Sequence, residues 1–335
     1  MDLKTLTEAF GPSGQENEVR RLVREAAGAR WDDVSIDRAG NVICHRKGSD
    51  PSKPAVAFAA HMDEIGFIIA GHTEDGLLRF RPVGGVDPRV VVSKWVELGP
   101  DRQKGVIGAM AIHLQSPADR ERVLDYDSLF IDIGAKDMKE AERLCPLGTY
   151  AVFDTPYTEF GEGFVAAKAL DDRVGCYSLL KVLSSDYPGD LCCVFVTQEE
   201  VGLRGSRAAA FHIQPDIAVV LEGTAANDLG DTPSRFQVCV PGQGVAVSFM
   251  DHASIADREL FQKMQEVARE KGIPFQVKRA ITGGNDAGSF QQVGKGARTC
   301  VLSVPCRYIH SGNNVAKLSD IRAQADLAIA FLQSL

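Results

Sequence analysis

The first clear periodicity along the chain is helical. In ENEVRRLVREAAG, Val19, Leu22, Val23 and Ala26 recur at a spacing that gathers them on one helix face. Gly11-Pro12-Ser13-Gly14 just before it has the residues of a turn. Strand-like runs follow at 33–45, 54–61 and 65–71. From about Gly71 the texture changes. Short alternating or β-branched runs (LLRFRPVGG, RVVVSKWVELG, GVIGAMAIHL, SLFIDIG, TYAVFD) are parted by Gly, Pro and Asp, and only KDMKEAERL reads as helix. Beyond it, apolar strands at 191–197, 216–223, 244–250, 274–280 and 297–304 alternate with amphipathic helices at 172–185, 257–272 and 319–335. That alternation predicts an α/β fold, a three-layer sandwich around a mainly parallel sheet. The sandwich is split, residues 1–70 and 165–335, and a small β-rich domain is inserted at 71–164.

Composition narrows the function classes. The chain has 335 residues, 44% hydrophobic and 24% charged, enough for more than one core. A net charge of -8 with no basic run argues against nucleic-acid or anionic-membrane partners, which need clustered Lys and Arg. The eight cysteines form no CxxC pair, and several sit in apolar runs such as LCCVFV, so they read as reduced thiols. MDLKTLTEAF lacks an apolar signal core and no run approaches membrane-spanning length. These features predict a cytoplasmic protein.

The chemistry sits where apolar runs stop. His61, Asp63 and Glu64 follow AVAFAA; Glu199 and Glu200 follow LCCVFVT; Glu222 closes DIAVVL; His310 comes shortly after CVLSVP. Asp171 and Asp172 open a helix. Taken singly, each has an ordinary explanation: a chance HxD, acids capping a helix, a surface histidine. Together they place His or carboxylate at one edge of the sheet, where open α/β sheets bind ligands. Glu222 behind IAVVL is awkward as a core residue, because a buried carboxylate needs a partner. Three acids, Asp171, Glu200 and Glu222, balance two divalent ions and one hydroxide. Imidazole and carboxylate without thiolate suit zinc first, with cobalt or manganese as alternatives. Ion pairs about 3.5–4 Å apart of this kind generate a nucleophilic hydroxide near neutral pH.

Six ordered motifs carry a resemblance: HMDEIGF (61–67), AKALDDRVGC (167–176), TQEEVGLRG (197–205), VLEGT (220–224), GGNDAG (283–288) and RYIHS (307–311). In order, they resemble the signatures of the M42 glutamyl/leucyl aminopeptidases, the tetrahedral-aminopeptidase group of the di-zinc peptidase clan. The match spans nearly the whole chain. The resemblance implies the di-zinc exopeptidase fold and two divalent ions per subunit. It implies His61 and Glu222 on one ion, Glu200 and His310 on the other, and Asp171 bridging both. Asp63 would orient His61, and Glu199 would be the general base acting on a metal-bridging water. The implied reaction is removal of N-terminal residues from peptides with a free amino end. Asp286 would line the substrate pocket, and the insert would serve assembly of a homo-oligomer, from dimer to dodecamer.

Departures from the family pattern are Glu222 where Asp is common, Gly312-Asn313-Asn314 where Pro is usual, Asn285 where Thr or Ser is frequent, and no His in Ser289-Phe290-Gln291-Gln292. They bear on metal preference and pocket shape. An M20-type dipeptidase or deacylase uses similar ligands, but places its extra domain after the Glu-Glu pair. A glycoside hydrolase could use Glu199 and Glu200, yet it would leave His61, Asp171 and His310 idle, and the chain has only two tryptophans.

Overall fold

A computed structural model describes every residue except Asp32, and every side chain except those of Asp32 and Asp119. Among the described residues, eight strands form one sheet in the order Val34–Ile36, Val42–Arg46, Leu191–Val196, Val56–His61, Ile217–Ala225, Arg298–Cys306, Val245–Ser248, Phe275–Val277. The sheet is mixed, with four of its seven strand pairings parallel. Its four central strands, from Leu191–Val196 to Arg298–Cys306, are mutually parallel. Val42–Arg46 and Val245–Ser248 run antiparallel to their inner neighbours. Val34–Ile36 and Val42–Arg46 are joined by a turn too short for a crossover, so they can pair only antiparallel.

The central strands are apolar on both faces, and helices cover both. Val56, Phe58 and Ala60 pack with Val19, Leu179, Met264 and Leu327, from the helices Asn17–Gly28, Leu170–Val182, Arg258–Lys271 and Leu318–Gln333. Ala57 and Ala59 face the other way, toward Ala209, Ala210, Ala287 and Phe290 of the helices Arg204–Ile213 and Ala287–Gln292. Alternation of side chains along each strand divides these two cores.

A six-stranded closed barrel forms between the sheet strands Val56–His61 and Leu191–Val196 in sequence. Its strands, in barrel order, are Gly66–His72, Leu78–Val83, Leu129–Asp132, Gln103–Ala109, Trp95–Leu98 and Tyr150–Phe153. Phe67 meets Phe80 and Phe153 edge-on in its core, with ring centroids 5.2 Å apart in both pairs. The 65–71 run, assigned from sequence to the catalytic part, is instead the first barrel strand. A three-stranded sheet, Thr158–Phe160, Phe164–Ala167 and Asn314–Lys317, lies apart from both. No described helix is long and apolar enough to cross a membrane.

The N-terminal segment is tied to the sheet by buried charge. Arg173 is fully buried and donates to the carbonyls of Met62, Leu6, Ala9 and Gly11 and to Glu64. Lys168 Nζ meets both oxygens of Glu64, at 2.7 and 3.0 Å, and the Ala9 carbonyl. Replacing Arg173 by Met strips donors from four carbonyls and leaves Glu64 with one cation. We expect Arg173→Met to lower unfolding free energy by about 3–5 kcal/mol in urea titrations.

Candidate active site

Because the four central strands run parallel, their C-terminal ends open on one edge of the sheet. His61 ends the strand Val56–His61, and Glu199 and Glu200 stand three and four residues beyond Val196. Glu222 lies near the end of Ile217–Ala225, and His310 stands four residues past Cys306. Asp171 enters from the helix Leu170–Val182 with extended backbone angles (φ -84, ψ 110), which turn its side chain out of the helical path. Gly223 lies against it: a Cβ there would sit 3.2 Å from Asp171 Oδ1.

The five predicted ligands come together. His61 Nε2 is 3.3 Å from Asp171 Oδ1 and 3.6 Å from Glu222 Oε2. His310 Nε2 is 3.5 Å from Asp171 Oδ2 and 3.5 Å from Glu200 Oε2. Asp171 thus turns one oxygen toward each imidazole. His61, Asp171 and Glu222 form one group with ligand atoms within 4.8 Å of one another; Asp171, Glu200 and His310 form a second; His61 with Glu199 and Glu200 forms a third. Glu199 Oε2 stands 4.0 Å from His61 Nε2. All line one cleft of about 470 Å³.

Both imidazoles are held by carbonyl groups. His61 Nδ1 donates to the main-chain oxygen of Asp63 at 3.0 Å, and His310 Nδ1 to that of Gly85 in the barrel at 2.9 Å. A carbonyl can only accept, so in the neutral rings each Nε2 keeps its lone pair for the cleft. The Asp63 carboxylate is 3.5 Å from His61 Nδ1, and it spends its hydrogen-bonding capacity elsewhere. It accepts from Ser13 Oγ at 2.6 Å and from the amides of Glu199 and Glu200 at 3.0 and 3.2 Å. Asp63 therefore fixes the Glu199–Glu200 turn as much as His61. Asp172 is buried and accepts from the amides of His61 and Gly175, a role beyond helix capping.

Two acids stand elsewhere than the sequence suggested. Glu64 turns away from the cleft into its pair with Lys168 and Arg173. Asp286 does not line the cavity; its neighbour Asn285 does. The Asp286 carboxylate is wholly buried, neither oxygen has a close hydrogen-bond partner among the described residues, and burial pushes it up to about 6 against the pull of the Ser206 hydroxyl. Ser13, Gly85 and Lys278, which also lines the cleft, were not singled out from sequence.

The cleft holds more negative charge than its own groups neutralise. Burial raises Glu199 and Glu222 well above the ordinary carboxylate range, and Asp286 adds to the effect on Glu199. Burial lifts Glu200 to about 7, against the pull of His310. Burial opposes charge on His310, but Asp171 and Glu200 outweigh it and raise the imidazole to about 9. Asp171 Oδ1 and Glu222 Oε1 are buried without a hydrogen-bond donor. Two ligand atoms about 2.1 Å from one tetrahedral ion lie about 3.4 Å apart. The observed separations of 3.3–3.6 Å fit that spacing, so the residues present suit divalent cations.

Fold and site together define an α/β enzyme whose cleft carries carboxylates and imidazoles in metal-ligand groupings. The sequence profile of the M42 glutamyl aminopeptidase family matches residues 40–327, and the chain belongs to that peptidase family. It is 35% identical to a lysyl aminopeptidase of Pyrococcus furiosus over 99% of this chain and 96% of that protein. Among solved structures, an aminopeptidase from Desulfurococcus kamchatkensis superimposes with a TM-score of 0.94 at 34% identity, covering 99% of this chain and 94% of the other. A Pyrococcus horikoshii TET1 peptidase, whose structure shows assembly into a tetrahedron or a large octahedral shell, gives 0.86 at 32% identity, covering 98% of each chain. Membership disfavours the M20-type and glycoside-hydrolase alternatives.

The displaced titrations set a pH dependence for the metal-free protein. Glu200 binds its proton more tightly folded than unfolded, so stability falls as pH rises from 4.5 toward 7. His310, raised from 6.5, contributes stability that is complete below 6.5 and lost as pH rises through about 9. Both act in the same direction. With chelator present, the thermal midpoint should fall between pH 5 and 9, less steeply in Glu200→Gln, and added zinc should restore it most at the alkaline end.

Proposed function

We propose that the chain is a two-metal aminopeptidase that removes N-terminal residues from peptides. The observation that carries this reading is Asp171, whose two oxygens face two imidazoles in separate ligand groups. His61, Asp171 and Glu222 would hold one ion, and Asp171, Glu200 and His310 the other, zinc first, with cobalt or manganese as alternatives. Ions bound there supply Lewis acidity to the scissile carbonyl and make water acidic enough to ionise near neutral pH.

Glu199 is the general base. It reaches the first group, and burial raises its carboxylate, which favours taking up a proton. Its Oε2 accepts a proton from the attacking water as the water oxygen bonds to the carbonyl carbon. It then returns that proton to the amide nitrogen as the C–N bond breaks. Asp63, fixed by Ser13, holds the amides of Glu199 and Glu200 and so aims both side chains. The acids of the cleft favour a substrate ammonium, which restricts cutting to free amino ends.

The scaffold reads as a three-layer catalytic body, residues 1–70 and 165–335, with the insert 71–164 as an assembly domain whose barrel begins slightly earlier, at Gly66. The eight free, buried cysteines suit a reducing cytoplasm.

Glu199→Gln should lower kcat on aminoacyl chromogenic substrates by about 10²–10⁴-fold while leaving two ions bound per subunit by elemental analysis. Chelation should abolish wild-type turnover, zinc, cobalt or manganese should restore it, and N-acetylated substrates should stay intact. Equal cleavage of blocked and unblocked substrates would sink the exopeptidase reading.

Met110, Ile112, Leu114 and Val123, from one stretch of the insert, are each 62–69% exposed, apolar side chains that a second copy of the chain would cover. Ile112→Asp combined with Leu114→Asp should shift the sedimentation coefficient toward smaller species.

A further inference from the structure

The loop that carries His310 leans on the inserted barrel at two points. His310 Nδ1 donates to the Gly85 carbonyl at 2.9 Å, and Gly312 lies against Phe153, where a Cβ would stand 2.9 Å from the ring. Both points lead into one aromatic cluster. Phe67 meets Phe153 and Phe80 edge-on, and Tyr126 packs edge-on against Phe80 with ring centroids 5.6 Å apart. Tyr126 opens the turn Tyr126–Ser128, just before the barrel strand Leu129–Asp132. Its hydroxyl donates to the carbonyl of Val86, the residue after Gly85, at 2.9 Å.

A tyrosine hydroxyl packed at a core usually finds an acceptor, so the bond to Val86 would by itself be ordinary. What distinguishes it is how little else holds that turn. Among the described residues, the only hydrogen bonds to Gly85 and Val86 are those from His310 and Tyr126. Gly84 has a φ of 84° and Gly85 has no side chain to pack, so the peptide planes here rotate at low cost. The Val86 side chain is buried in the barrel core, which places the residue without fixing the direction of its carbonyl. The Tyr126 hydroxyl fixes that direction from a ring held by its neighbours. With Val86 set, the preceding Gly85 carbonyl stays aimed at His310, whose Nε2 faces Asp171 and Glu200.

We propose that Tyr126, in the core of the insert, is a positioning residue for the second ligand group, acting on His310 through the Val86 and Gly85 carbonyls. The inference rests on the two-metal aminopeptidase reading and adds to it a residue that does not line the cleft. The hydroxyl orders the turn before any ion arrives. Without it, binding of the second ion has to order His310 and the turn together, which weakens that ion more than the first. His61 and Glu222 stand on strands of the sheet, out of reach of this turn except through the shared Asp171.

Tyr126→Phe removes one oxygen and keeps the ring, and thermal melts confirm that the variant is folded. Zinc affinity is measured on the metal-free full chain by competition with a chromogenic chelator, and His310→Ala identifies which of the two binding steps belongs to the second group. Tyr126→Phe should weaken that step by about 3–10-fold and the other by less than about twofold. Gly312→Ala, whose added methyl meets the Phe153 ring, should weaken the same step. In a His310→Ala background Tyr126→Phe should change nothing further, because its effect passes through that imidazole. At saturating zinc, kcat of Tyr126→Phe on Leu-p-nitroanilide should return toward the wild-type value. Ile131→Val trims the buried barrel core and leaves the hydroxyl in place, so both of its zinc steps should match the wild type. An unaltered second step in Tyr126→Phe, equal weakening of both steps, or the same weakening in Ile131→Val overturns the assignment while the aminopeptidase reading stands. If the wild type binds fewer than two zinc ions or, once loaded, cleaves no unblocked substrate, the two-metal reading falls, and this inference falls with it.

Discussion

Carboxylates crowded into a buried cleft repel one another, and the site is arranged around that repulsion. Asp171, Glu199, Glu200 and Glu222 meet within a few ångströms at the edge of the sheet. Removed from water, such groups either take up protons or gather cations. Glu199, Glu200 and Glu222 are pushed toward the protonated form, whereas Asp171, between two imidazoles, is held ionised. The set is unfavourable as a metal-free core and favourable as a receptacle for positive charge. That is the signature of a site selected for function rather than for stability.

A second buried charge cluster nearby supplies the contrast. Glu64 is as deeply buried as the cleft acids, yet Lys168 and Arg173 neutralise it and its oxygens are hydrogen-bonded. It needs no ligand, and it ties the N-terminal segment to the end of the His61 strand: the Glu64 amide donates to the Gly11 carbonyl, the Ser13 amide donates to the Glu64 carbonyl, and the Ser13 hydroxyl is thereby set against Asp63. The two clusters lie within a few residues of one another in sequence. What separates them is compensation. Where protein cations close the account, the acid is structural; where buried oxygens such as Asp171 Oδ1 and Glu222 Oε1 stay orphaned, the acid awaits something.

That difference explains what the sequence could and could not reveal. His61, Glu199, Glu200, Glu222 and His310 were legible because each interrupts or follows an apolar run, so polarity itself marks the strand ends. Glu64 looked identical, since its partners Lys168 and Arg173 are about a hundred residues away and nothing local announces them. Ser13 reads as a turn residue and Lys278 as the charged tail of a strand; their meaning comes only from what folding brings beside them. The helix Arg204–Ile213 went unread because its inner face is built of alanines, Ala209 and Ala210, which give little apolar contrast. The barrel was legible as β-rich texture. Its first strand was not, because a barrel strand buried on its inner face and a sheet strand share the same apolar character over 65–71.

The insert also reaches into the chemistry. His310 is the most exposed of the ligand candidates, its side chain 41% accessible, and it lies in a loop with a left-handed backbone angle (φ 58). Little in the catalytic body restrains it. Its Nδ1 is anchored by the carbonyl of Gly85, just past the barrel strand Leu78–Val83, and a Cβ at Gly85 would stand 3.2 Å from that ring nitrogen. Gly84, alongside, lies against Glu200. The barrel therefore anchors His310 and packs against Glu200, through backbone that a larger residue would displace. A shift of the barrel against the sheet would disturb His310 first, whereas His61 and Glu222 stand on strands of the sheet. Asp171, from the helix Leu170–Val182, belongs to both groups, so a displacement of His310 reaches the first group through the carboxylate the two groups share.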